Sequence, residues 1–390
     1  MKVITARTSE VDDKDAALNI ISEQIAAHGT LEKNTVALMF CHYEFVFSGV
    51  AEYVAKKLPF PVVGYSTTLA GFSRTKDEDT VYAQGEFRLV LFIISSDEIE
   101  FTPILSEPLT NDMKAADIVK NTIADVGKQK MGFLFIPHIL ITDTEALMDE
   151  AAKKTNAQII GGFAVDDSPT YIENCFVIAK GKAYRDRAVF LFLKGNFEPL
   201  FASSVITHDK YLENTAIITE SKGNEIISVN GRPVTEFLTN LGFNLTESKA
   251  DAISGAVMIV DDGDGDTYGR SMMYLTHDHH LIVGGRVTTG ATVSIAMFEK
   301  HGVLDASSAV TRKAVEKKPD AKLAVVISCE TRHILLGSET FDGEKMLRRE
   351  LGDIPFVLAY AGGEFCPSPA STPEKPVNRL FNQSYCICLI

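Results

Sequence analysis

A strand–helix–strand–turn–strand unit recurs three times along this chain, and that recurrence limits the fold more sharply than any composition figure. In the first copy an amphipathic helix is expected over 14–28, with Ala17, Ile20, Ile21 and Ile25 at helical spacing and Gly29 as its stop. A buried strand follows at 36–40, then a helix at 47–58, a strand at 62–65, a glycine-containing turn and a closing strand at 87–94. The closing run alternates poorly, as expected of a strand covered on both faces. The order returns with strand 132–136, helix 145–154, strand 158–160, the turn Gly161-Gly162-Phe163 and strand 188–193. It returns again with strand 323–327, helix 342–351, strand 356–358, the turn Gly362-Gly363 and strand 385–389. This alternation predicts an α/β (mixed α+β) protein, with mixed sheets flanked by helices and built from duplicated β-α-β-β units.

Between the second and third copies, 197–307 reads differently. Short strands at 200–206, 216–219, 226–229, 281–287 and 292–297 are separated by turn pairs such as Asn230-Gly231 and Asp264-Gly265. The chain has 390 residues, long enough for two or three domains. The run Gly195-Asn196, followed by Pro199, is the natural break, giving halves 1–196 and 197–390.

Charge narrows the functions. The 52 acidic residues outnumber 38 Lys and Arg, for a net charge of -14, and no basic run exceeds a pair such as Lys56-Lys57. Binding to nucleic acid needs a basic surface, so it is excluded, and a lasting contact with anionic lipid is disfavoured on the same ground. The first 18 residues lack the apolar core of a secretory signal, and no apolar run approaches the roughly 18 residues that span a bilayer. Six scattered cysteines fit reduced thiols better than a disulfide framework, so a cytoplasmic location is expected.

Ligands of α/β sheets bind beyond the carboxyl ends of strands. In the three copies those ends read Cys41-His42-Tyr43-Glu44, Pro137-His138 and Cys329-Glu330-Thr331-Arg332-His333. The second strands run into Gly64-Tyr-Ser66-Thr67, Gly161-Gly162 and Tyr360-Ala-Gly-Gly363-Glu364, where glycines either expose backbone amides to a ligand or serve left-handed turns. Arg332 and Glu364 suit the two ends of a zwitterion, or a pairing with each other. Cys329 beside Arg332 reads as an activated thiol, or as a small residue finishing a buried strand. Asp261-Asp-Gly-Asp-Gly-Asp266 resembles the start of a calcium loop, yet counted from Asp262 it lacks glycine sixth and glutamate twelfth, which favours a hairpin turn. His277-Asp-His279-His280 and Cys386-x-Cys388 each place two metal-capable side chains on one strand face without a third ligand at useful spacing, so no metal is expected there.

Taken in order, several segments resemble the FIST proteins, a sensory family with an N-terminal and a C-terminal FIST domain. They are Val63-Gly-Tyr-Ser-Thr67, Ile160-Gly-Gly-Phe-Ala-Val-Asp-Asp167, Gly223-Asn224 with Val229-Asn-Gly-Arg-Pro233, Arg270, Ser328-Cys329-x-x-Arg332, Tyr360-x-x-Gly363-Glu364 and Asn382-Gln-Ser384. Tyr65 and Ala359 depart from the family pattern. The resemblance implies a non-enzymatic sensor without a cofactor. It would take a small ligand such as an amino acid at Arg332, Tyr360, Gly363, Glu364, Cys329, Arg270, Ser66, Thr67, Gly161 and Gly162. With no length left for an output module, signalling is expected through a separate histidine kinase or diguanylate cyclase. One alternative it supplies is a haem-binding nitric oxide sensor regulating a kinase, through His42, His138, His208 or His333. A second alternative is a cysteine-dependent enzyme using Cys329 with His333 or His42 as base.

Overall fold

The computed structural model describes every residue except 73–86, 111–112, 140, 169–170, 213–214, 244–254, 264–266 and 340. The first copy runs β1 (Lys2–Thr8), α1 (Lys14–Ala26), β2 (Asn34–Cys41), α2 (Glu44–Phe47), α3 (Val50–Lys57), β3 (Val62–Ser66), β4 (Ala70–Phe72) and β5 (Leu89–Ser96). The second runs β6 (Ile99–Leu105), α4 (Ala115–Ile123), β7 (Met131–Ile136), α5 (Thr144–Thr155), β8 (Gln158–Phe163), β9 (Val177–Ala179), β10 (Lys182–Tyr184) and β11 (Val189–Gly195). The third opens with β12 (Leu200–Ser204) and is then interrupted by an insert. The insert comprises β13 (Ala216–Lys222), β14 (Glu225–Val229), β15 (Arg232–Pro233), α6 (Val234–Asn240), β16 (Ala256–Asp261), β17 (Thr267–Arg270), β18 (Met272–Leu275), β19 (Leu281–Val283) and β20 (Thr292–Met297). The copy resumes with α7 (Lys300–Lys317), β21 (Ala324–Cys329), α8 (Glu330–Leu336), α9 (Asp342–Leu351), β22 (Phe356–Ala361), β23 (Glu364–Pro367), β24 (Asn378–Phe381) and β25 (Tyr385–Leu389).

The three copies share one wiring. The first strand lies antiparallel to the last (β1 to β5, β6 to β11, β12 to β25), and the last lies antiparallel to the second (β5 to β2, β11 to β7, β25 to β21). The second and third strands, joined through helices, are parallel (β2 to β3, β7 to β8, β21 to β22), as a crossover connection requires. The next strand then leaves its own sheet. β4 pairs with β22 of the third copy, β9 with β3 of the first, and β23 with β8 of the second. Each copy therefore lends one strand to a neighbour and borrows one from the other, closing a ring. The two halves of the sequence are joined by hydrogen-bonded strands at two of these three exchanges.

Strand alternation explains the layering. Val36, Leu38 and Phe40 of β2 face a central core shared with Met131, Phe133 and Phe135 of β7 and with Val325 and Ile327 of β21. The intervening Ala37, Met39 and Cys41 pack under α1 and α3, while Val326 and Leu358 pack under α7 and α9. Both faces are covered, which is why the sequence shows unbroken apolar runs. The insert forms a separate sheet in the order β17-β16-β20-β13-β14-β19-β18, with β15 beside β14.

Sequence and structure agree on the mixed α/β class, and helix 342–351 and strand 385–389 coincide with α9 and β25. The expected helix at 47–58 is broken by Gly49, whose φ of 76° starts α3 afresh. The expected turn Gly161-Gly162-Phe163 is instead the last half of β8. A Cβ on Gly161 would lie 1.9 Å from the Leu134 carbonyl oxygen, and one on Gly64 would lie 1.7 Å from that of Met39. These glycines let parallel strands approach; they do not open the backbone to a ligand.

Candidate functional site

The ring brings the turns after all three third strands together. Val165 N donates to Ser66 O at 3.1 Å, Phe163 N to Gly363 O at 3.1 Å, Gly362 N to Phe163 O at 3.1 Å, and Thr67 Oγ1 to Tyr360 O at 2.8 Å. Ser66, Thr67, Gly162, Tyr360 and Gly363, far apart in sequence, thus meet at one junction. Their polar backbone groups bind each other, so these residues frame the site.

Beside the junction lies a cleft of about 160 Å³ at the carboxyl ends of the strands. Phe163, Ala164 and Val165 of the second copy form one wall, and Cys329, Glu330, Thr331 and Gly362 of the third form another. Ser271 and Met273 of the insert close it. Glu330 is nearly buried and accepts from Thr68 Oγ1 and, at 2.9 Å, pairs with His333 Nδ1. Asn382 at the edge accepts from Ser271 N at 3.2 Å, tying the insert to the ring.

Arg332 faces elsewhere. Its guanidinium is buried and donates to Val205 O and Val303 O at 2.6 Å each, to Ser307 Oγ at 2.5 Å and to Gln383 O at 3.4 Å. Those four acceptors come from the loop after β12, from α7 and from the turn before β25, so Arg332 ties α7 to the end of the β12–β25 ladder. With Tyr360 it borders a void of about 20 Å³, enough for one water. The alternative reading, a pairing of Arg332 with Glu364, does not form among the described ion pairs. Glu364 Oε2 instead accepts from Ser384 N at 3.0 Å and Ser384 Oγ at 2.6 Å, while Oε1 has no hydrogen-bond partner. Burial pushes the Glu364 carboxyl up to about 8, against the opposing pull of the Ser384 donors. Tyr65, also fully buried, has a hydroxyl without a partner, and burial raises its pKa.

Arg270 lies outside the cleft. Its Nη2 meets Glu145 Oε1 at 2.9 Å, its Nε donates to Arg286 O at 2.9 Å, its Nη1 donates to Leu380 O, and its plane covers Tyr268. It is a strut between insert and ring. Of the ten residues expected to bind ligand, Cys329 alone lines the cleft.

Sequence reading missed Glu330, Thr331 and Met273. The block 329–333 was legible as a strand end, but α8 begins at Glu330. On a helix of 3.6 residues per turn, positions 330 and 332 point about 200° apart, so one faces the cleft and the other the core.

Burial raises the Cys329 thiol pKa, with the Glu364 charge adding to the effect, which is opposite to what a nucleophile needs. Among the described residues no hydrogen bond joins Cys329 to His42 or His333, and no cluster of three His, Cys, Asp or Glu suits a metal ion. His280 Nδ1 pairs with Glu225 Oε1 at 2.7 Å at the hairpin tip. Cys386 and Cys388 are packed in the central core. Asp264, Gly265 and Asp266 of the calcium-like run lie outside the described residues.

The four candidate haem histidines stand apart from the cleft. His42 is sandwiched between Tyr43 and Phe87, with Nε2 3.5 Å from Asp167. His208 lies on Tyr211, and His333 is held by Glu330 and stacked on Tyr360. His138 keeps a buried Nδ1 without a partner. None of the four lines the cleft, nor the larger spaces of about 380 Å³ near Arg7 and about 310 Å³ near Pro103.

The FIST N domain matches residues 35–232 and the FIST C domain matches residues 236–367. The chain belongs to the FIST family, whose domains sense small ligands in signalling proteins. The two matched stretches meet just after β15, inside the insert. No curated protein gives a significant match. Among solved structures, cyanuric acid hydrolase from A. caulinodans is 10% identical, covering 99% of this chain and 97% of its own, at a TM-score of 0.29, too low to show a common fold. No helix among the described residues is long and apolar enough to cross a membrane.

Proposed function

We propose that this protein is a cytoplasmic sensor that takes a small polar molecule into the cleft between Phe163–Val165 and Cys329–Thr331 and reports it to a separate signalling protein, of the histidine kinase or diguanylate cyclase kind. The observation that carries the reading is the convergence of two copies and the insert on one cleft at the strand ends, where α/β proteins bind ligands. Three separately connected segments line it, so a ligand bridging them would favour one arrangement of insert and ring. That is the coupling a sensor requires. The division into halves at 196/197 belongs to the same reading: the first half supplies one wall, and the second supplies the other wall and the closing insert.

Thermal-shift screening against a metabolite library tests it, run in parallel on Met273→Trp, which fills the cleft. At least one compound is expected to stabilise the native protein and to lose its effect on the variant. If no compound stabilises the protein, or if every effect survives Met273→Trp, the assignment of the cleft is wrong.

A further inference from the structure

The charge of the cleft wall defines what the cleft accepts. Among the described lining residues Glu330 is the sole charged side chain; the others are apolar or neutral, including Val165, Ile172, Met273 and Ile334. Arg332, two residues along α8, has both terminal nitrogens committed to Val205 O, Val303 O, Ser307 Oγ and Gln383 O, and Arg270, next to the lining residue Ser271, is committed to Glu145, Arg286 O and Leu380 O. A ligand carboxylate would enter beside a like charge with no lysine or arginine among the described lining residues to receive it, the neighbouring His333 being paired with Glu330, which disfavours its ionised form. An ammonium would gain a charge-assisted hydrogen bond at a nearly buried acid. Each Glu330 oxygen carries one protein partner, leaving each with capacity for a second donor.

Resting on the assignment of the cleft as the ligand site, we propose that it selects a small amine with an apolar body, held by Glu330, and rejects ligands that depend on a carboxylate. On the scale by which about 20 Å³ holds one water, the roughly 160 Å³ of the cleft holds several, which gives room for a body of about five or six heavy atoms. The amino-acid ligand implied by an arginine anchor is replaced by a decarboxylated counterpart of the same side chain.

A matched series tests this by thermal shift and calorimetry: isopentylamine, leucine, 4-methylpentanoate and 3-methylbutan-1-ol, which share one branched body. Isopentylamine is expected to stabilise the protein, with leucine and 4-methylpentanoate without effect and the alcohol weaker. Glu330→Gln is expected to weaken isopentylamine at least about tenfold, or about 1.4 kcal/mol, while Met273→Trp removes its binding. If Glu330→Gln does not fold, Glu330→Asp, which keeps the charge but draws it back by one methylene, is expected to weaken the same ligand. No stabilisation by isopentylamine, equal affinity in Glu330→Gln, or binding that survives Met273→Trp each overturns the proposal. If leucine or 4-methylpentanoate binds and Met273→Trp abolishes it, the amine selectivity fails while the cleft stands as the site. The metabolite screen on Met273→Trp decides the cleft itself.

Discussion

Glu330 and Arg332 sit two residues apart on one short helix and serve opposite surroundings. Glu330 stands in the wall of a cleft, with Thr68 and His333 as partners. Arg332 is enclosed by backbone carbonyls and Ser307 and binds α7 to the loops around it. The contrast teaches that burial and partners decide what a charged residue at a strand end does: Arg332 has both terminal nitrogens taken up by the protein, whereas each Glu330 oxygen has a single protein partner.

The largest effect that would break this contrast is on the arginine side. Removing the guanidinium deletes three close charge-assisted hydrogen bonds from a buried site, at about 1.5–3 kcal/mol each, so Arg332→Ala is expected to lose more than about 3 kcal/mol of stability in urea unfolding. If it folds normally and only ligand binding suffers, Arg332 is a recognition residue after all. Next comes a pair of glycines. Gly161→Ala would drive a Cβ into the Leu134 carbonyl and is expected to cost more than about 2 kcal/mol, whereas a Cβ on Gly362 meets its nearest neighbour, Ala164 O, at 3.4 Å. Gly362→Ala is therefore expected to leave thermal stability nearly unchanged while narrowing the cleft.

Smaller per pH unit is the effect of titration. The folded Glu364 carboxyl titrates near 8, above the usual 4.5, so the native state holds a proton that the unfolded chain releases. Its contribution is fully present below about pH 4.5 and is lost as pH rises to about 8, with a slope of up to about 1.4 kcal/mol per pH unit. Glu364→Gln is expected to flatten the fall in stability over that window, measured by urea midpoints at several pH values. An unchanged slope would assign the titration to another group. The smallest effect is chemical. With its thiol pKa raised by burial, Cys329 is expected to resist iodoacetamide at pH 7 until the chain unfolds, read by peptide mass spectrometry.

Much of the ring was legible in the sequence. Unbroken apolar runs located the second and third strands of each copy, because both sheet faces are covered. Strands β1 and β6 and helices α4 and α7 were not anticipated. β6 is half exposed, and α7 carries polar residues such as Ser307 and Thr311 on buried positions. The strand exchange was beyond reach, since which sheet β4, β9 and β23 join depends on contacts between distant segments and leaves no local pattern. At the site, the strand-end rule found the region around Cys329. The glycine motifs marked close strand packing, and Arg270 and Arg332 marked struts, because a sequence does not show which carbonyls a buried guanidinium will meet.

Hydrogen-exchange mass spectrometry, with and without the strongest stabiliser from the metabolite screen, tests the central claim most directly. The account predicts slowed exchange in peptides covering 163–165, 271–273 and 329–334, the walls of the cleft. Protection confined to 7–24 with 88, or to 55–63 with 103–105, would place the ligand in one of the other cavities and contradict it.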